Sequence, residues 1–488
     1  MFRNKMLTLI NTNRMIPAIG PIGLDYVAGE VKKTGLDVEV LDLCFEADPT
    51  GAMDAHFRRR SPELVGISFR NVDDCFWPSA DWFVPRLKHT VETIHSMSDA
   101  PVVIGGVGYS IFPEKLLEYT GADFGICGDG EAATVALVRQ LTGSRRFADV
   151  PGLVWQEGNG IRSNPASWPD AISLSTARDS VDNLRYFEQG GQCGLETKRG
   201  CNRHCIYCAD PLAKGNKLRL RDPSEIADEA QSLLAQGIDV LHICDSEFNV
   251  PRSHAIAVCE EFINRSLGDK IRWYAYLSPS PFDEDLGRAM ARAGCVGIDF
   301  TGDSGCEAML RTYRHRHDKD DLDTAVKLCR LNNTAVMIDL LLGGPGETPE
   351  TVRETIDFIK QIDPDCAGAS LGVRVYPRTA MEAIVAEQLQ KDGDRSIRRK
   401  YDGPIDLFKP TFYISGALGE RPAELVRDLI GADLRFFEPA LDVAGQALED
   451  GDSANYNYNQ NVLIAKAIAE GARGAYWDIL RRLRKNEE

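Results

Sequence analysis

Short apolar runs alternate with amphipathic stretches along the first third of the chain. The stretch at residues 24–33 has the spacing of a helix, and Gly35 follows it as a stop signal. Strands that alternate with helices form parallel sheets with helices on both faces. Residues 1–150 are therefore predicted to form a doubly wound, Rossmann-like parallel sheet. Its strands are predicted at residues 7–10, 38–43, 64–68, 102–104 and 123–127.

Small or polar residues follow these predicted strands. Ligands of doubly wound sheets bind at the carboxyl ends of the strands, and small residues there let a flat or phosphate-bearing ligand approach the backbone. The alternative is that the glycines only form tight turns, and no single glycine decides between the two. The candidate cofactor-binding residues at these ends are Asn11, Ser68, Gly105, Gly106, Gly108 and Gly128.

The middle of the chain changes pattern twice. Residues 151–190 mix polar residues with proline and tryptophan, which we interpret as a linker with a small hairpin at residues 156–159. From residue 191 to residue 385 strands and helices alternate again, with polar residues after successive strands. This pattern predicts a full or partial TIM-type (β/α) barrel whose site lies at the face where those polar residues cluster.

Residues 386–488 are strongly charged and are predicted to be mainly helical, with helical periodicity at 422–437 and 461–483. We expect this region to cap a pocket and to influence the choice of substrate. Tyr456 and Tyr458 lie in a polar, aromatic segment between the two helical stretches. That segment either lines the pocket or forms a surface loop.

Composition limits the classes of function. The chain has 488 residues, which is enough for two to four domains. It carries 56 basic and 73 acidic residues, a formal charge of −17, which argues against nucleic-acid binding and against a basic membrane-surface protein. No apolar run approaches the roughly 18 residues of a membrane span. The first apolar run is too short for a secretory signal, so we expect a cytoplasmic protein.

Cysteine placement points to a metal centre. Of 13 cysteines, ten are scattered, whereas Cys201, Cys205 and Cys208 lie within eight residues. Three thiolates on one short loop can hold three irons of a cubane cluster and leave the fourth iron open to a small ligand. A zinc site normally has four protein ligands, and His204 could not easily join these cysteines on one metal. Three buried free thiols are the remaining alternative, but the polar residues around them are not typical of a core.

The motif Cys201-x3-Cys205-x2-Cys208, with Tyr207 before the last cysteine, resembles the signature of radical S-adenosylmethionine (SAM) enzymes. The resemblance implies a [4Fe–4S] cluster whose open iron is chelated by SAM, and reductive cleavage of SAM to a 5′-deoxyadenosyl radical. It also implies SAM contacts at later strand ends, namely Asp245, Ser246, Glu247, Asp303 and Ser304.

The chain further resembles one branch of that family through Pro345-Gly-Glu-Thr348 and through the stretch around Arg374 and Tyr376. There are two departures from the branch pattern. Asp303 replaces a longer Glu, and Arg378 replaces a Gly.

Residues 5–140 resemble the cobalamin-binding domain of the same branch. The Asp-x-His-x-x-Gly motif that supplies a histidine ligand to cobalt is absent, so the resemblance implies no axial histidine. Arg70, which follows Ser68, is expected to reach a corrin face and to disfavour a cationic, six-coordinate cobalt. The alternatives are a nucleotide site or an empty fold, but a Gly-x-Gly-x-x-Gly fingerprint after the first strand is also absent.

Together these resemblances imply a cobalamin-dependent radical SAM methyltransferase. SAM would serve as radical source and as methyl donor, and the substrate would be an unactivated carbon, or a phosphorus, of a small molecule or peptide. An external low-potential electron donor is implied as a partner. The alternatives are a porphyrin-cyclase-like or rearrangement enzyme with the same cofactors, and a cobalamin or iron–sulfur sensor without catalysis.

Overall fold

The computed structural model describes residues 6–166, 168–441 and 460–486. A seven-stranded sheet organises the first part, in the order β2-β1-β3-β4-β5-β6-β7. Strands β1 to β5 are parallel, as the alternating pattern predicts, and β6 and β7 are antiparallel. The strands are β1 (Met6–Asn11), β2 (Asp37–Asp42), β3 (Leu64–Ser68), β4 (Val102–Gly105), β5 (Phe124–Ile126), β6 (Leu153–Glu157) and β7 (Gly160–Ser163).

Helices cover both faces of this sheet. Leu24 and Val31 join a buried core on one face, while Leu87 and Leu116 join a separate buried core on the other. This arrangement confirms the doubly wound fold. The helices are α1 (Ile22–Lys33), α2 (Pro49–Phe57), α3 (Val84–Met97), α4 (Val107–Ile111), α5 (Pro113–Thr120) and α6 (Gly130–Leu141).

The segment that we interpreted as a linker begins as part of the first sheet. The predicted hairpin is present, and its first strand, β6, pairs antiparallel with β5. Leu153, Val154 and Trp155 are buried there, so this apolar run is bound to the sheet by packing. The connection between the two sheets is therefore shorter than the sequence pattern suggested.

The second sheet also has seven strands, in the order β19-β15-β14-β13-β12-β11-β8, and all its pairings are parallel. Its edge strands β8 and β19 do not pair with each other in the described residues, so the barrel is partial. The edge strand β8 (Cys193–Leu195) follows α7 (Asn183–Gly190). Before the next barrel strand the chain forms β9 (Lys198–Arg199), α8 (Asp210–Lys214) and β10 (Arg219–Leu220).

Helices alternate with the remaining barrel strands and pack on their outer face. Thr348 caps one of these helices, with Pro349 in its first turn, a pair that is favoured at helix starts. The strands are β11 (Val240–Ile243), β12 (Arg272–Leu277), β13 (Cys295–Asp303), β14 (Ala335–Leu342) and β15 (Cys366–Leu371). The helices are α9 (Pro223–Ala235), α10 (Arg252–Asn264), α11 (Glu284–Arg292), α12 (Glu307–Tyr313), α13 (Lys319–Leu331) and α14 (Pro349–Ile362).

The last part of the chain contains more strand than its charge and periodicity predicted. A small antiparallel sheet has the order β16-β18-β17, and β19 joins the barrel sheet. Tyr456 and Tyr458 lie outside the described residues. The elements are β16 (Val373–Arg374), α15 (Ala380–Asp392), β17 (Ile397–Arg399), β18 (Thr411–Tyr413), α16 (Pro422–Ile430), β19 (Phe436–Phe437), α17 (Val462–Ala469) and α18 (Tyr476–Asn486). Among the described helices, none combines the length and apolarity that crossing a bilayer requires.

Candidate functional site

A cavity lies at the carboxyl edge of the first sheet. Its wall includes four of the residues predicted to bind a cofactor: Ser68, Gly105, Gly106 and Gly128. A Cβ atom placed on Gly105 would have Ile126 O, at 3.9 Å, as its nearest neighbour. The missing side chain therefore leaves space that a flat ligand can use, which fits the predicted cofactor site.

Gly106 and Gly108 serve a second purpose. A Cβ on Gly106 would lie 2.6 Å from Phe69 O, and a Cβ on Gly108 would lie 3.1 Å from the backbone of Arg70. Gly106 also has a φ of +106°, which favours glycine. These two glycines allow the start of α4 to pack against the segment after β3, and Gly108 is not among the residues that line the cavity.

Asn11 takes part in a different contact. Its amide donates hydrogen bonds to Asp42 Oδ1 at 3.0 Å and to Tyr186 Oη at 2.8 Å, and its side chain is buried. It therefore joins β1 to β2 and α7. Its predicted role in cofactor binding stays a prediction.

Arg70 is exposed at the end of β3. Its Nη1 lies 4.0 Å from Met15 Sδ, and no ion pair to it is found in the described residues. Burial raises the pKa values of Tyr276 and Cys244 in the barrel, and the positive charge of Arg70 offsets part of that rise. Arg70 thus extends from the first domain towards the barrel, consistent with a position between the two domains.

Charged residues that were not among the predicted site residues line the cavity from both domains. Arg199 forms ion pairs with Glu131 at 2.8 Å and with Glu196 at 2.9 Å, and Arg219 pairs with Asp129. Burial disfavours the ionised carboxylate of Glu131, but Arg199 outweighs that cost and lowers its pKa. The signal for Arg199 was its place directly before Gly200 and the first clustered cysteine.

The three clustered cysteines lie on the loop between β9 and α8. Cys201 N donates to Gly215 O at 3.1 Å, and Cys208 N donates to Cys205 O at 3.3 Å. Gly200 has a φ of +84°, and a Cβ there would clash with Lys217 O. A glycine is therefore required immediately before the first cysteine.

The thiols of this loop are close to one another. Burial raises the pKa of all three, that of Cys205 to about 12, and the charge of Cys201 contributes to the shifts of Cys205 and Cys208. In the described ranges, no group of three or more His, Cys, Asp and Glu side chains is placed to hold one metal ion. Three thiolates can each bind one iron of a [4Fe–4S] cluster and leave the fourth iron open, whereas a structural zinc ion takes four protein ligands, so this set of donors fits the cluster better.

The residues after β11 hold the cysteine loop in place. Asp245 accepts hydrogen bonds from Thr197 N at 2.9 Å and from Thr197 Oγ1 at 2.5 Å. Ser246 Oγ donates to Asp210 Oδ2 at 2.6 Å, and Glu247 pairs with Arg203 at 2.9 Å. The structure therefore brings Asp245, Ser246 and Glu247 to the loop, while their contact with SAM stays a prediction.

Asp303 connects Tyr207 to a histidine that the sequence analysis did not select. Tyr207 Oη donates to Asp303, and His315 Nε2 lies 2.6 Å from Asp303 Oδ2. Ser304 is buried, with its Oγ 2.8 Å from Thr355 Oγ1 on α14. Both predicted SAM residues thus have protein partners, and their contact with SAM stays a prediction.

The two departures from the branch pattern share a backbone feature. Asp303 has a φ of +57° and Arg378 a φ of +61°, the left-handed region that glycine adopts most easily. Arg378 therefore keeps the backbone conformation expected of the glycine in the branch pattern. Its Nη2 donates to Ile111 O at 2.7 Å, which connects this loop to the first domain.

Comparisons with known proteins agree with this architecture. The B12 binding domain model matches residues 17–138, and the Radical SAM superfamily model matches residues 195–359. Tryptophan 2-C-methyltransferase of Streptomyces laurentii is 30% identical over 98% of this chain and 96% of its own length. The chain belongs to the cobalamin-dependent radical SAM methyltransferases.

Solved structures agree with this assignment. The structure of TsrM from Kitasatospora setae with tryptophan and a SAM analogue has a TM-score of 0.90 and 30% identity, and covers 99% of both chains. A second TsrM structure, with cobalamin and a [4Fe–4S] cluster, has a TM-score of 0.86. OxsB with aqua-cobalamin is 17% identical, with a TM-score of 0.72 over 85% of this chain and 65% of its own, and supports the fold alone.

These findings confirm the predicted family, fold class and enzymatic nature, and the three predicted cofactors: cobalamin, SAM and a [4Fe–4S] cluster. The glycine-lined cavity fits cobalamin, and the loop of Cys201, Cys205 and Cys208 fits the cluster. The domain boundaries and the individual site residues stay predictions.

Proposed function

We propose that the enzyme transfers a methyl group to carbon 2 of the indole ring of tryptophan or of a closely related small molecule. The observation that carries this proposal is the similarity to a tryptophan 2-C-methyltransferase over 98% of this chain and 96% of that protein. Similarity over both domains is more informative than a shared motif, because the proposed reaction needs cofactors from both domains.

The arrangement of this chain's own residues supports a reaction between the domains. Arg70, just after β3, is close enough to Tyr276 on β12 for its charge to affect the pKa of that tyrosine. The loop of Cys201, Cys205 and Cys208 is anchored at the carboxyl edge of the barrel sheet through Thr197, which bonds to Asp245. A small molecule between Arg70 and this loop would be reached from both domains.

The protein positions the reactants and excludes water. When bound, cobalamin supplies a transferable methyl group, and the cluster supplies electrons for the chemistry of SAM. Glu247 and Arg203 form an ion pair at 2.9 Å with both side chains largely buried, which restricts movement of the cysteine loop. An external low-potential electron donor and a cytoplasmic location remain predictions.

The test is a methyl-transfer assay with the reconstituted full-length enzyme. Anaerobically loaded enzyme is incubated with tryptophan and with SAM that carries a deuterated methyl group. The expected product is tryptophan with one deuterated methyl group on carbon 2, identified by mass spectrometry and by NMR. Tryptophan already methylated on carbon 2 is the matched control, and we expect it to remain unchanged.

Other outcomes would count against the proposal. Transfer of the label to another atom of tryptophan would refute carbon 2 as the acceptor. Efficient turnover without S-adenosylhomocysteine would favour the cyclase or rearrangement chemistry considered from the sequence. Failure of fully loaded enzyme to modify any indole would remove tryptophan-like molecules as the substrate class.

A further inference from the structure

The inner face of the barrel sheet has an accessible region. Along β13 the side chains alternate: Ile298 and Phe300 are buried in the core against the outer helices, so Asp299 and Thr301 face inward. Thr301, Tyr276 on β12 and Asp339 on β14 are all partly exposed, although their strands lie within the sheet. Their exposure is therefore towards the interior of the partial barrel.

Two carboxylates share this inner face. Asp339 pairs in register with Thr301, and Asp299 lies two residues before Thr301 on the neighbouring strand, so the two aspartates are diagonal neighbours. Asp299 is 1% exposed, and neither of its carboxylate oxygens has a hydrogen-bond partner in the described residues. Oδ1 of Asp339 is likewise buried without a partner there.

Within residues 6–166, 168–441 and 460–486, no positively charged side chain pairs with either aspartate. Burial, and then the neighbouring carboxylates, raise the pKa of both groups, that of Asp339 to about 7. Burial lowers the pKa of His242, whose ring lies 5.1 Å from that of Tyr276, to about 4. This imidazole is therefore neutral at pH 7. In the described ranges, no Lys, Arg or His forms an ion pair with Asp299 or Asp339.

Leaving buried carboxylates without partners is costly, so the site lacks a component. We propose that Asp339, supported by Asp299, binds a primary ammonium group of the substrate inside the barrel. A primary ammonium carries a positive charge and three N–H donors, which matches the unpartnered carboxylate oxygens. The inference rests on the proposed function in one respect, because tryptophan is a substrate that carries such a group.

Other occupants fit less well. Calcium takes six to eight oxygen ligands. In the part of the chain that the structure describes, no group of three or more metal-binding side chains is placed around one ion. If Asp339 instead accepted a proton from the reacting carbon, it would act on substrates with and without an amino group alike. The two roles are therefore separable by comparing ligands that differ only in that group.

The experiment measures binding by calorimetry to the loaded full-length enzyme. The ligand pairs are tryptophan with indole-3-propionate, and tryptamine with 3-ethylindole. We expect the wild type to bind the amine of each pair about tenfold or more tightly than its partner, the range for a buried charged hydrogen bond. Asp339→Asn should reduce this ratio to near one. Asp299→Asn should also reduce it, and serves as the second variant if Asp339→Asn does not fold.

Asp357→Asn is the matched control, because Asp357 is exposed on α14, and its ratio should equal that of the wild type. Equal binding of both members of each pair by the wild type, or an unchanged ratio in both variants, would overturn the inference. Methylation of tryptophan with an unchanged ratio would leave the proposed function intact and reject the ammonium site. A preference for tryptamine that depends on Asp339, without methylation of tryptophan, would support the ammonium site and reject the proposed function.

Discussion

The wall of the glycine-lined cavity and the inner face of the barrel both contain largely buried carboxylates, but the pairing of these carboxylates with positive charges differs. At the cavity, Glu131 and Glu196 meet the guanidinium of Arg199, and Asp129 meets Arg219. In the barrel, burial and neighbouring carboxylates raise the pKa values of Asp299 and Asp339, and neither aspartate forms an ion pair with a described residue. The first region supplies its own counter-charges, whereas the second needs them from a ligand.

The cavity wall and the inner face of the barrel therefore have different roles. Ion pairs connect the first domain to the segments on both sides of the cysteine loop and hold the glycine-lined cavity in shape. A carboxylate without a partner gives up stability in the free protein and becomes satisfied only when a suitable ligand binds. The carboxylates without partners therefore favour a positively charged substrate.

The largest effect should come from the loop that lies between the two regions. Replacing Cys201, Cys205 and Cys208 by alanine together should abolish methyl transfer and remove the bound iron, because no other thiolate replaces them. The cavity walls are unchanged, so corrin should be retained. Metal analysis after anaerobic reconstitution measures iron and cobalt separately.

Cys329→Ala, a buried cysteine on α13, is the control and should retain its iron. Iron at the wild-type level in the triple variant would contradict the assignment of the cluster to this loop. Loss of cobalt together with iron would show that the cavity and the loop are not independent.

An intermediate effect is expected where the cavity wall loses a charge. Glu131→Gln leaves Arg199 without its nearest carboxylate in a buried site, which should lower the free energy of unfolding by about 3 kcal/mol. Urea denaturation followed by tryptophan fluorescence measures this change. Glu157→Gln removes an exposed partner of Arg162 in the same sheet and should cost about 0.5 kcal/mol or less. Equal effects of the two variants would mean that the cavity pairs do not stabilise the fold.

The smallest effect concerns pH. The folded protein raises the pKa of Asp339 from 3.8 to about 7, so the native state holds this proton more tightly than the unfolded state. The resulting stability is present below about pH 4 and is lost as the pH rises to about 7. Without substrate, Asp339→Asn should reduce the fall in unfolding free energy between about pH 5 and about pH 8 by about 1 kcal/mol or more.

Urea denaturation at the two pH values provides this measurement, with Asp357→Asn as the exposed control. If the wild type and Asp339→Asn lose the same stability over this range, ionisation of Asp339 does not lower the free energy of unfolding. A bound primary amine should also diminish the fall in the wild type, because it neutralises the same charge.

Features that depend on residues close together in the sequence were predictable, whereas features that depend on long-range pairing were not. The strand at residues 64–68 and the cap formed by Thr348 and Pro349 were predictable, because hydrophobic spacing and capping act within a few residues. The hairpin of β6 and β7 was predicted within a linker, but its membership of the first sheet was not predicted. The hairpin belongs to the first sheet because β6 pairs with β5, a strand that lies earlier in the chain.

The candidate site shows the same division. The spacing of Cys201, Cys205 and Cys208 is a local pattern, and it indicated the cluster and the family directly. Asp299 and Asp339 stand in the middle of apolar strands and match no motif. The two carboxylates lie on the same face of the sheet because β13 and β14 pair in this register.

The order of strands and helices, the cysteine loop and the cofactor class were thus contained in the sequence, since each is encoded by short-range spacing of residue types. Tertiary structure alone decided which charges meet. Arg199 and Glu131 are 68 residues apart, yet their side chains form one ion pair. Electrostatic energy depends on distance in space and on burial, and neither can be read from separation along the chain.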